Sequence, residues 1–448
     1  MKRVLVSLLA LLMIFSLVAC AGTPTTPPDA TKQPDTPDTP GNDTGGKEPV
    51  TIESWIVQTD WLDSWDVMKQ RFEDEYSWIE VLNVGTGEVG IDFFTTRLAS
   101  KDIPEIVQVD NRPLYYTAVD EGWLQDLSGR EVAKHIPDAY KEAYTYNGVL
   151  FGITQGAAFS VLYLNMDILG QAGWTEPPTN WDEFIQCCKD IQEKTDAAPF
   201  TMAGDKTTTN WMPFEIIIAN AVGEELGFGV YEEKFKNGSF DFTAWPEITE
   251  KLAEMAAYAM PGTASYTEDD VTAIMGDGSA AMCFAGNWTA NNIVTAISEV
   301  TGSTDSVLAV VPPLNNAGKG QWTSVSPETA FGLSNEDDSE AKVEAREIFF
   351  DWVFEPENFA IIQNARGTVP VLTNMSEDLI KLPEPIAANL TNFNNTPYVL
   401  MGFNLWTTVF EDSANTGLRD VYSGNKDAAT VVQGMTATLS ESYVEAGD

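Results

Sequence analysis

Alternation between strand-like and helix-like segments is the feature that most constrains the fold of this chain. Residues 51–57 are rich in β-branched side chains at a period of two, which predicts a strand. The next apolar residues recur at spacings of four, three and four, which predicts a helix: Trp61, Trp65, Met68 and Phe72. The same order continues with a strand, a helix and a strand over 79–84, 92–100 and 106–109. This alternation predicts a mostly parallel sheet covered by helices.

The first twenty residues have the pattern of an exported lipoprotein. Lys2 and Arg3 precede an uncharged apolar run over 4–19. That run is shorter than the roughly 20 residues a membrane-spanning helix needs, and it is typical of a secretory signal peptide. It ends in Leu-Val-Ala-Cys, which resembles the lipobox of bacterial lipoproteins. The expectation is a signal peptide over 1–19 and lipid attachment at Cys20.

Residues 20–49 are expected to form a linker between the lipid anchor and a globular body. The segment is rich in Thr, Pro, Gly and Asp, and after Cys20 it has no aromatic or large aliphatic side chain. It therefore cannot bury a core, and its prolines favour extended conformations. An anchor, a stiff linker and a body predict a protein held on the outer face of the cell membrane.

Composition excludes several classes of function. The chain has 448 residues, 44% of them hydrophobic, which is enough for sizeable cores in two or three domains. Its 67 acidic and 25 basic residues give a formal net charge of −42. Nucleic acid is a poor partner for such a chain, because phosphate binding needs clustered Lys and Arg. The only histidine is His135, so a zinc motif with two histidines is excluded, and no metal is expected.

A glycine pattern at residues 85–90 matches G-x-G-x-x-G, follows a predicted strand and precedes a predicted helix. The pattern is typical of dinucleotide binding. Three features weigh against it: the protein is expected to be exported, Glu88 would repel a pyrophosphate, and the motif follows the second strand of the body. No cofactor is expected. Cys187, Cys188 and Cys283 are interpreted as small buried apolar residues.

Several motifs in a fixed order carry a resemblance to a known family. They are F-E-D-E-Y at 72–76, L-A-S-K-D-I-P-E-I-V at 98–107, L-Y-L-N-M-D at 162–167, P-P-T-N-W-D-E at 177–183, M-G-D-G-S-A-A-M at 275–282, G-N-W at 286–288 and R-G-T-V-P-V at 366–371. Together they resemble the extracellular solute-binding proteins of family 1, which serve sugar ABC importers and include the maltose-binding protein. Pro104-Glu105 and Asn165-Met166-Asp167 depart from the usual P-D and N-K-D.

The resemblance implies an α/β fold with two lobes, of the type II periplasmic-binding-protein class, with the ligand in a cleft between them. One lobe would comprise residues 50–155 and 312–350, and the other 156–311 and 351–448. Chain crossings near 155–160 and at 312–313 would form the hinge. Ligand contacts with both lobes would then stabilise the closed state.

Aromatic faces bind the C–H faces of a sugar, and fixed polar side chains bind its hydroxyl groups. Asp60 and Trp61 follow the first predicted strand and Asp110 follows the third, at the strand ends where open α/β sheets bind ligands. The resemblance adds further candidates in the cleft loops, near the hinge and around the late motifs, with Trp288 expected to stack on the ligand: Gln155, Asn210, Trp211, Trp288, Arg366 and Trp406.

The leading hypothesis is a lipid-anchored, monomeric binding protein that captures a sugar or oligosaccharide and delivers it to an ABC permease, without enzymatic activity. A second hypothesis is a protein of the same fold that binds a peptide or an organic anion. A third is an extracellular glycoside hydrolase, because 67 acidic residues make a carboxylate pair possible by chance. A fourth is a purely structural surface protein.

Overall fold

The computed structural model describes residues 47–56, 62–85, 90–109, 113–205, 207–335, 339–366, 369–401 and 406–444. These residues belong to one compact unit, Thr44–Asp448. The predicted signal peptide, Cys20 and nearly all of the predicted linker lie outside the described residues. Within those residues, the structure contains no helix that is both long enough and apolar enough to span a membrane.

Strands and helices alternate along the described chain. The strands are β1 (Val50–Ile56), β2 (Ile79–Gly85), β3 (Ile106–Val109), β4 (Thr145–Tyr146), β5 (Val149–Leu150), β6 (Ile153–Thr154), β7 (Ala157–Asn165), β8 (Ala198–Met202), β9 (Ala280–Gly286), β10 (Val307–Val310), β11 (Thr323–Pro327), β12 (Ala330–Leu333) and β13 (Tyr398–Leu400). The α-helices are α1 (Leu62–Glu75), α2 (Gly90–Ser100), α3 (Pro113–Asp120), α4 (Asp138–Ala143), α5 (Met166–Ala172), α6 (Trp181–Lys194), α7 (Thr207–Lys236), α8 (Pro246–Ala256), α9 (Glu268–Asp277), α10 (Ala290–Thr301), α11 (Glu340–Val353), α12 (Pro356–Arg366), α13 (Glu384–Asn395), α14 (Thr408–Tyr422) and α15 (Ala428–Val444).

The first sheet has the strand order β2-β1-β3-β12-β6. Strand β1 pairs in parallel with β2 and β3, and β12 pairs antiparallel with β3 and β6. The strands and helices predicted at the start of the chain are therefore confirmed. The prediction of a mostly parallel sheet is wrong, because β12 returns antiparallel between β3 and β6, and β7 pairs antiparallel with β9, β10 and β11. Because β1, β2 and β3 are parallel, their carboxyl ends share one edge of the sheet. From that edge the chain continues into 57–61, 86–89 and 110–112, which lie outside the described residues.

The second sheet has the order β13-β11-β7-β9-β8, and β10 also pairs with β7. All nine residues of β7 are buried. A strand places successive side chains on opposite faces, so Leu162 and Leu164 of β7 pack in one core cluster while Val161 and Tyr163 pack in another. Helices thus cover both faces of this sheet, which explains why β7 is apolar throughout rather than alternating.

The core of the first sheet is a separate cluster. Helix α1 contributes its predicted apolar face, with Trp65, Met68 and Phe72 all fully buried. Phe349 of α11 packs edge-on against Phe72, with ring centroids 4.8 Å apart. The sequence prediction for α1 is therefore confirmed for these three residues, whereas Trp61 lies outside the described part of the chain.

Two short connections lie side by side where the chain passes between the sheets. Gln155 and Gly156 join β6 to β7, and Glu328 and Thr329 join β11 to β12. The main-chain N–H of Glu328 donates to the Gly156 carbonyl at 2.9 Å. The hydroxyl of Thr154 donates to the Glu328 carbonyl at 2.8 Å. These bonds hold the two connections together.

The first connection lies where the sequence predicts a crossing, whereas the second lies after the predicted position at 312–313. The reason is that Thr323–Pro327 is hydrogen-bonded to β7 and still belongs to the second sheet. Phe359 and Ile362 of α12, in turn, pack in the core of the first sheet. The lobe bounds of 50–155 with 312–350, and 156–311 with 351–448, stay a prediction.

The three cysteines Cys187, Cys188 and Cys283 are free and buried. Burial raises the pKa of the Cys187 thiol to about 12. It also raises the pKa values of the other two thiols. The interpretation of these residues as small apolar side chains is confirmed.

Candidate functional site

Of the nine predicted ligand-binding residues, Asp60, Trp61 and Asp110 lie outside the described residues. Arg366 is the last residue of α12, and its side chain also lies outside the described part. The remaining five can be placed: Gln155, Asn210, Trp211, Trp288 and Trp406.

Asn210 and Trp211 lie in the first turns of α7 and are 0% and 2% exposed. The indole of Trp211 packs edge-on against that of Trp406, with ring centroids 4.4 Å apart. It also contacts Phe214 in the same geometry at 5.2 Å. Two of the predicted tryptophans, which are distant in sequence, are therefore brought together at one end of α7.

Asn210 is held by α14. Its side-chain amide nitrogen donates to the side-chain oxygen of Asn415 at 2.6 Å and to the main-chain oxygen of Asn415 at 3.1 Å. The loop that leads into α7 is fixed to the same helix, because Arg419 donates from Nε to the Gly204 carbonyl at 2.7 Å and from Nη2 to the Asp205 carbonyl. Helix α14 thus positions both the loop and the first turns of α7.

Four buried polar atoms around this end of α7 have no hydrogen-bond partner among the described residues. They are Thr209 Oγ1, Asn210 Oδ1, Trp211 Nε1 and Trp406 Nε1. Pro213 has no N–H, so the Thr209 carbonyl also lacks the usual helical donor. Buried polar groups in native proteins are normally paired, so a group of four without partners is uncommon and can bind a solute. The set offers two donors, one amide acceptor and one hydroxyl, all of them neutral.

Trp288 lies in the turn after β9. Asn287, the residue before Trp288, anchors this turn to the second sheet. Asn287 is 0% exposed. Its side-chain oxygen accepts from the Phe159 N–H at 2.9 Å, and its amide donates to the Ala157 carbonyl at 3.0 Å. Trp288 itself is partly exposed. The turn is therefore rigid, and it presents an indole at the carboxyl end of β9.

A small cavity of about 10 Å³ connects the Trp288 turn to the start of α7. Its polar wall comprises Thr209, Glu268 and Thr289, and apolar side chains of α9, α10 and β9 complete it. The volume is near the lower limit for holding one water molecule. Thr209 and Thr289 are the sequence neighbours of Asn210 and Trp288, so these two predicted regions meet at this cavity.

Gln155 lies in the connection between β6 and β7 and is 0% exposed. Neither amide atom of its side chain has a partner among the described residues. Its main-chain oxygen accepts from Gln363 Nε2 at 2.6 Å. Gln363 lies in α12, three residues before Arg366. Gln155 and the end of α12 are therefore close to each other at the connection between the sheets.

A second concave surface lies near the first sheet. It is an open groove of about 570 Å³ whose lining includes four carboxylates, one arginine and an indole: Arg71, Asp74, Glu75, Trp352, Glu355, Glu357 and Asn358. Partial burial and the neighbouring carboxylates Glu75 and Glu357 raise the pKa of Glu355. None of the five predicted residues that can be placed lines this groove. Among the described residues, no cluster of acidic, cysteine or histidine side chains has the arrangement of a metal site.

Sequence reasoning missed four residues that belong to this site: Thr209, Glu268, Thr289 and Asn415. Thr209 stands in the Thr207–Thr209 run beside a predicted residue, so the sequence gives a weak signal for it. Glu268 follows Thr267, which caps α9 together with Asp270 in a capping box. That pattern locates the start of the helix but does not indicate the contact. No local pattern predicts that Asn415 pairs with Asn210, 205 residues away.

Residues 69–391 match the family model described as bacterial extracellular solute-binding protein. Because the match spans more than half of the chain, the chain belongs to the family of bacterial extracellular solute-binding proteins. The resemblance found in the sequence motifs is confirmed at this level.

Among curated proteins, the chain is 24% identical over 166 residues to the multiple sugar-binding protein of Streptococcus mutans, covering 37% of this chain and 38% of that protein. It is 25% identical over 228 residues to the diacetylchitobiose binding protein DasA of Streptomyces coelicolor, covering 50% of each. The alignments thus span half or less of the length of these relatives.

Similarity to solved structures extends over most of the chain. The raffinose complex of the solute-binding protein RafE has a TM-score of 0.72 at 20% identity, covering 88% of this chain and 100% of that one. A chitin oligosaccharide binding protein has a TM-score of 0.73 at 17% identity, covering 88% and 99%. The α/β fold with two sheets is thereby confirmed as that of solute-binding proteins.

Proposed function

We propose that this protein is a sugar-binding protein that captures an oligosaccharide and delivers it to an ABC importer. The observation that carries the proposal is the neutral polar and aromatic cluster at the start of α7. There, the ring centroids of Trp211 and Trp406 lie 4.4 Å apart. Four buried polar atoms of the same cluster lack hydrogen-bond partners among the described residues. A sugar supplies what that cluster lacks, because its hydroxyl groups both donate and accept hydrogen bonds and its C–H faces pack on aromatic rings.

The similar proteins support an oligosaccharide as the ligand. They include RafE in complex with raffinose, a sugar transporter protein of Bacillus licheniformis in complex with stachyose, and a chitin oligosaccharide binding protein. The net charge of −42 disfavours a strongly anionic solute. A neutral oligosaccharide therefore fits both the local chemistry and the overall charge better than an organic anion does.

The two sheets are proposed to be the cores of two lobes, with the ligand between them. The paired connections at 155–156 and 328–329 would then be the hinge. Asp60, Trp61 and Asp110 follow strands of the first sheet and would contact the ligand from the first lobe. Asn210, Trp211, Trp288 and Trp406 would contact it from the second lobe, with Gln155 and Arg366 at the hinge side.

The lipid anchor and the partners belong to the same proposal. Cys20 would carry the lipid after removal of residues 1–19, and residues 20–49 would link it to the folded unit. The protein would act as a monomer on the outer face of the membrane, with the permease of an ABC importer as its partner and without enzymatic activity.

A thermal-shift panel tests the proposal. The full chain is heated with neutral oligosaccharides, including raffinose, stachyose and chitotriose, and with a tripeptide and gluconate as non-sugar solutes. A sugar at 100 times its Kd is expected to stabilise the folded state by about 2.7 kcal/mol. Stabilisation by the peptide or by gluconate alone would favour a non-sugar ligand instead.

The same samples test for enzymatic activity. Chromatography of each sugar after incubation is expected to recover it intact. Appearance of shorter sugars would support a glycoside hydrolase, and the acidic groove with Glu75 and Glu355 would then be the first region to substitute.

A further inference from the structure

We propose that Glu268 is a positioning residue, which together with Gly286 holds the indole of Trp288 in one fixed orientation for ligand contact. This proposal rests on the proposed function, because it assumes that Trp288 contacts the sugar. It adds a residue on a different helix, α9, whose contact with Trp288 no sequence motif indicates.

The edge of the indole is fixed by a hydrogen bond. Trp288 Nε1 donates to Glu268 Oε1 at 3.0 Å. A carboxylate acceptor makes a stronger and more directional bond than a neutral oxygen does. Glu268 is the first residue of α9, where the helix dipole favours its negative charge. The start of α9 therefore suits a carboxylate at this position.

The backbone that carries Glu268 is itself fixed. The Thr267 hydroxyl accepts from the Asp270 N–H at 3.1 Å, and the Asp270 carboxylate accepts from the Thr267 N–H at 2.9 Å. This capping box defines where α9 begins. The position of the Glu268 carboxylate thus follows from the helix start and not from a mobile loop.

The face of the indole is fixed by Gly286. A Cβ atom at this position would lie 2.3 Å from the ring carbons of Trp288, closer than any real contact. The backbone of Gly286 has φ −87° and ψ 160°, which any residue adopts. The glycine is therefore required by the ring that lies on it and not by its own conformation.

The turn under the ring is equally constrained. The Gly286 carbonyl accepts from the Tyr163 hydroxyl at 3.1 Å and from the Thr289 hydroxyl at 2.9 Å. The hydrogen bonds of Gly286 hold the backbone, Gly286 itself lies against one face of the ring, and Glu268 binds its edge. The indole is therefore preorganised. A preorganised side chain avoids the loss of rotamer freedom on binding, which corresponds to an affinity gain of up to about tenfold.

Fluorine NMR of the full chain labelled with 5-fluorotryptophan tests the orientation directly. The Trp288 resonance is assigned as the one lost in Trp288→Phe. Glu268→Ala is expected to shift and broaden that resonance, and Glu268→Gln, which keeps an acceptor oxygen, is expected to restore it largely. Asp269→Ala is the matched control, because Asp269 is an exposed carboxylate in the same helical turn. An unchanged Trp288 resonance in Glu268→Ala would overturn the proposal.

Calorimetric titration with raffinose links orientation to binding. Glu268→Ala is expected to weaken raffinose binding about tenfold, Glu268→Gln less than threefold, and Asp269→Ala not at all. Gly286→Ala, which pushes the ring without removing its acceptor, is expected to weaken binding as well. Equal affinity of the native protein and Glu268→Ala would also contradict the proposal. Absence of raffinose binding by the native protein would count against the proposed function, while the NMR result still decides the role of Glu268.

Discussion

The buried carboxylate of Glu105 beside the first sheet is paired, whereas a cluster of buried neutral groups at the start of α7, beside the second sheet, lacks partners among the described residues. Glu105, next to β3, is 1% exposed, and its carboxylate binds the Glu53 N–H and the Lys342 ammonium group. Asn210 and Trp211 are buried to the same degree. Yet Asn210 Oδ1 and Trp211 Nε1 have no partner among the described residues.

The difference follows from the cost of burying each kind of group. A buried charge without a partner is too unfavourable to persist, so it is paired within the fold. A neutral oxygen or N–H without a partner costs less, about 1–3 kcal/mol, and a ligand can remove that cost on binding. The neutral groups without partners at the start of α7 are therefore available for a ligand, whereas the carboxylate of Glu105 is already used within the fold.

Neutral atoms near the first sheet also lack a partner among the described residues, namely Ser54 Oγ, Trp65 Nε1 and Asn83 Oδ1, and they limit this comparison. Trp65 is fully buried in α1, and its Nε1 also lacks a partner among the described residues. Its ring packs against Phe331 and Phe349, with centroids 4.5 and 6.1 Å away. It belongs to the core of the first sheet. Trp65 is therefore a matched control for Trp211.

The largest expected effect is a loss of stability on removing the buried, paired carboxylate of Glu105. Glu105→Ala removes a buried carboxylate that accepts from Lys342 and from the Glu53 N–H, so it is expected to lower the free energy of unfolding by about 3 kcal/mol. Chemical denaturation measures this loss. Glu344→Ala is the control, because its partner Lys47 and Glu344 are both about half exposed and such pairs contribute less than about 1 kcal/mol. Equal losses of unfolding free energy in Glu105→Ala and Glu344→Ala would contradict the claim that the buried charge pair contributes more than the exposed one.

A smaller loss of stability is expected at high pH, when the partly buried phenol of Tyr140 ionises. Burial, and then proximity to Tyr398, raise the pKa of Tyr140 to about 12 from the usual 10. The folded state thus disfavours the phenolate, so stability is intact below pH 10 and falls as the pH rises from 10 to 12. The loss attributable to Tyr140 is about 2 kcal/mol.

Denaturation at pH 9 and pH 12 measures this loss, and the native chain is compared with Tyr140→Phe. The phenylalanine variant is expected to lose less stability over that range. Equal losses would mean that Tyr140 does not titrate as its burial requires, and that other tyrosines account for the alkaline effect.

Local patterns predicted much of the fold. The spacing of Trp65, Met68 and Phe72 predicted α1, because helical periodicity is a property of neighbouring residues. The second connection between the sheets lies after the predicted crossing at 312–313, because the pairing of β11 with β7 depends on residues about 168 positions apart along the chain, for example Ser326 and Ala158. No local signal encodes such a pairing.

The contacts within the candidate site also depend on residues that are distant in sequence. Motif resemblance predicts Asn210, Trp211 and Trp288 as ligand-binding residues, and this stays a prediction, but the residues that hold them come from other elements. Glu268 lies 20 positions from Trp288, and Asn415 lies 205 positions from Asn210. Those contacts depend on how helices pack, which the sequence pattern of each helix does not specify.

The smallest expected effect, and the most direct test of the account, is calorimetric titration of the native chain, Trp211→Phe and Trp65→Phe with raffinose. Each substitution removes one buried indole N–H. The expected result is an affinity about tenfold lower in Trp211→Phe than in the native chain, because one hydrogen bond is lost, and unchanged affinity in Trp65→Phe. Equal weakening in both variants, or unchanged affinity in Trp211→Phe, would contradict the claim that the unpaired groups at the start of α7 bind the sugar.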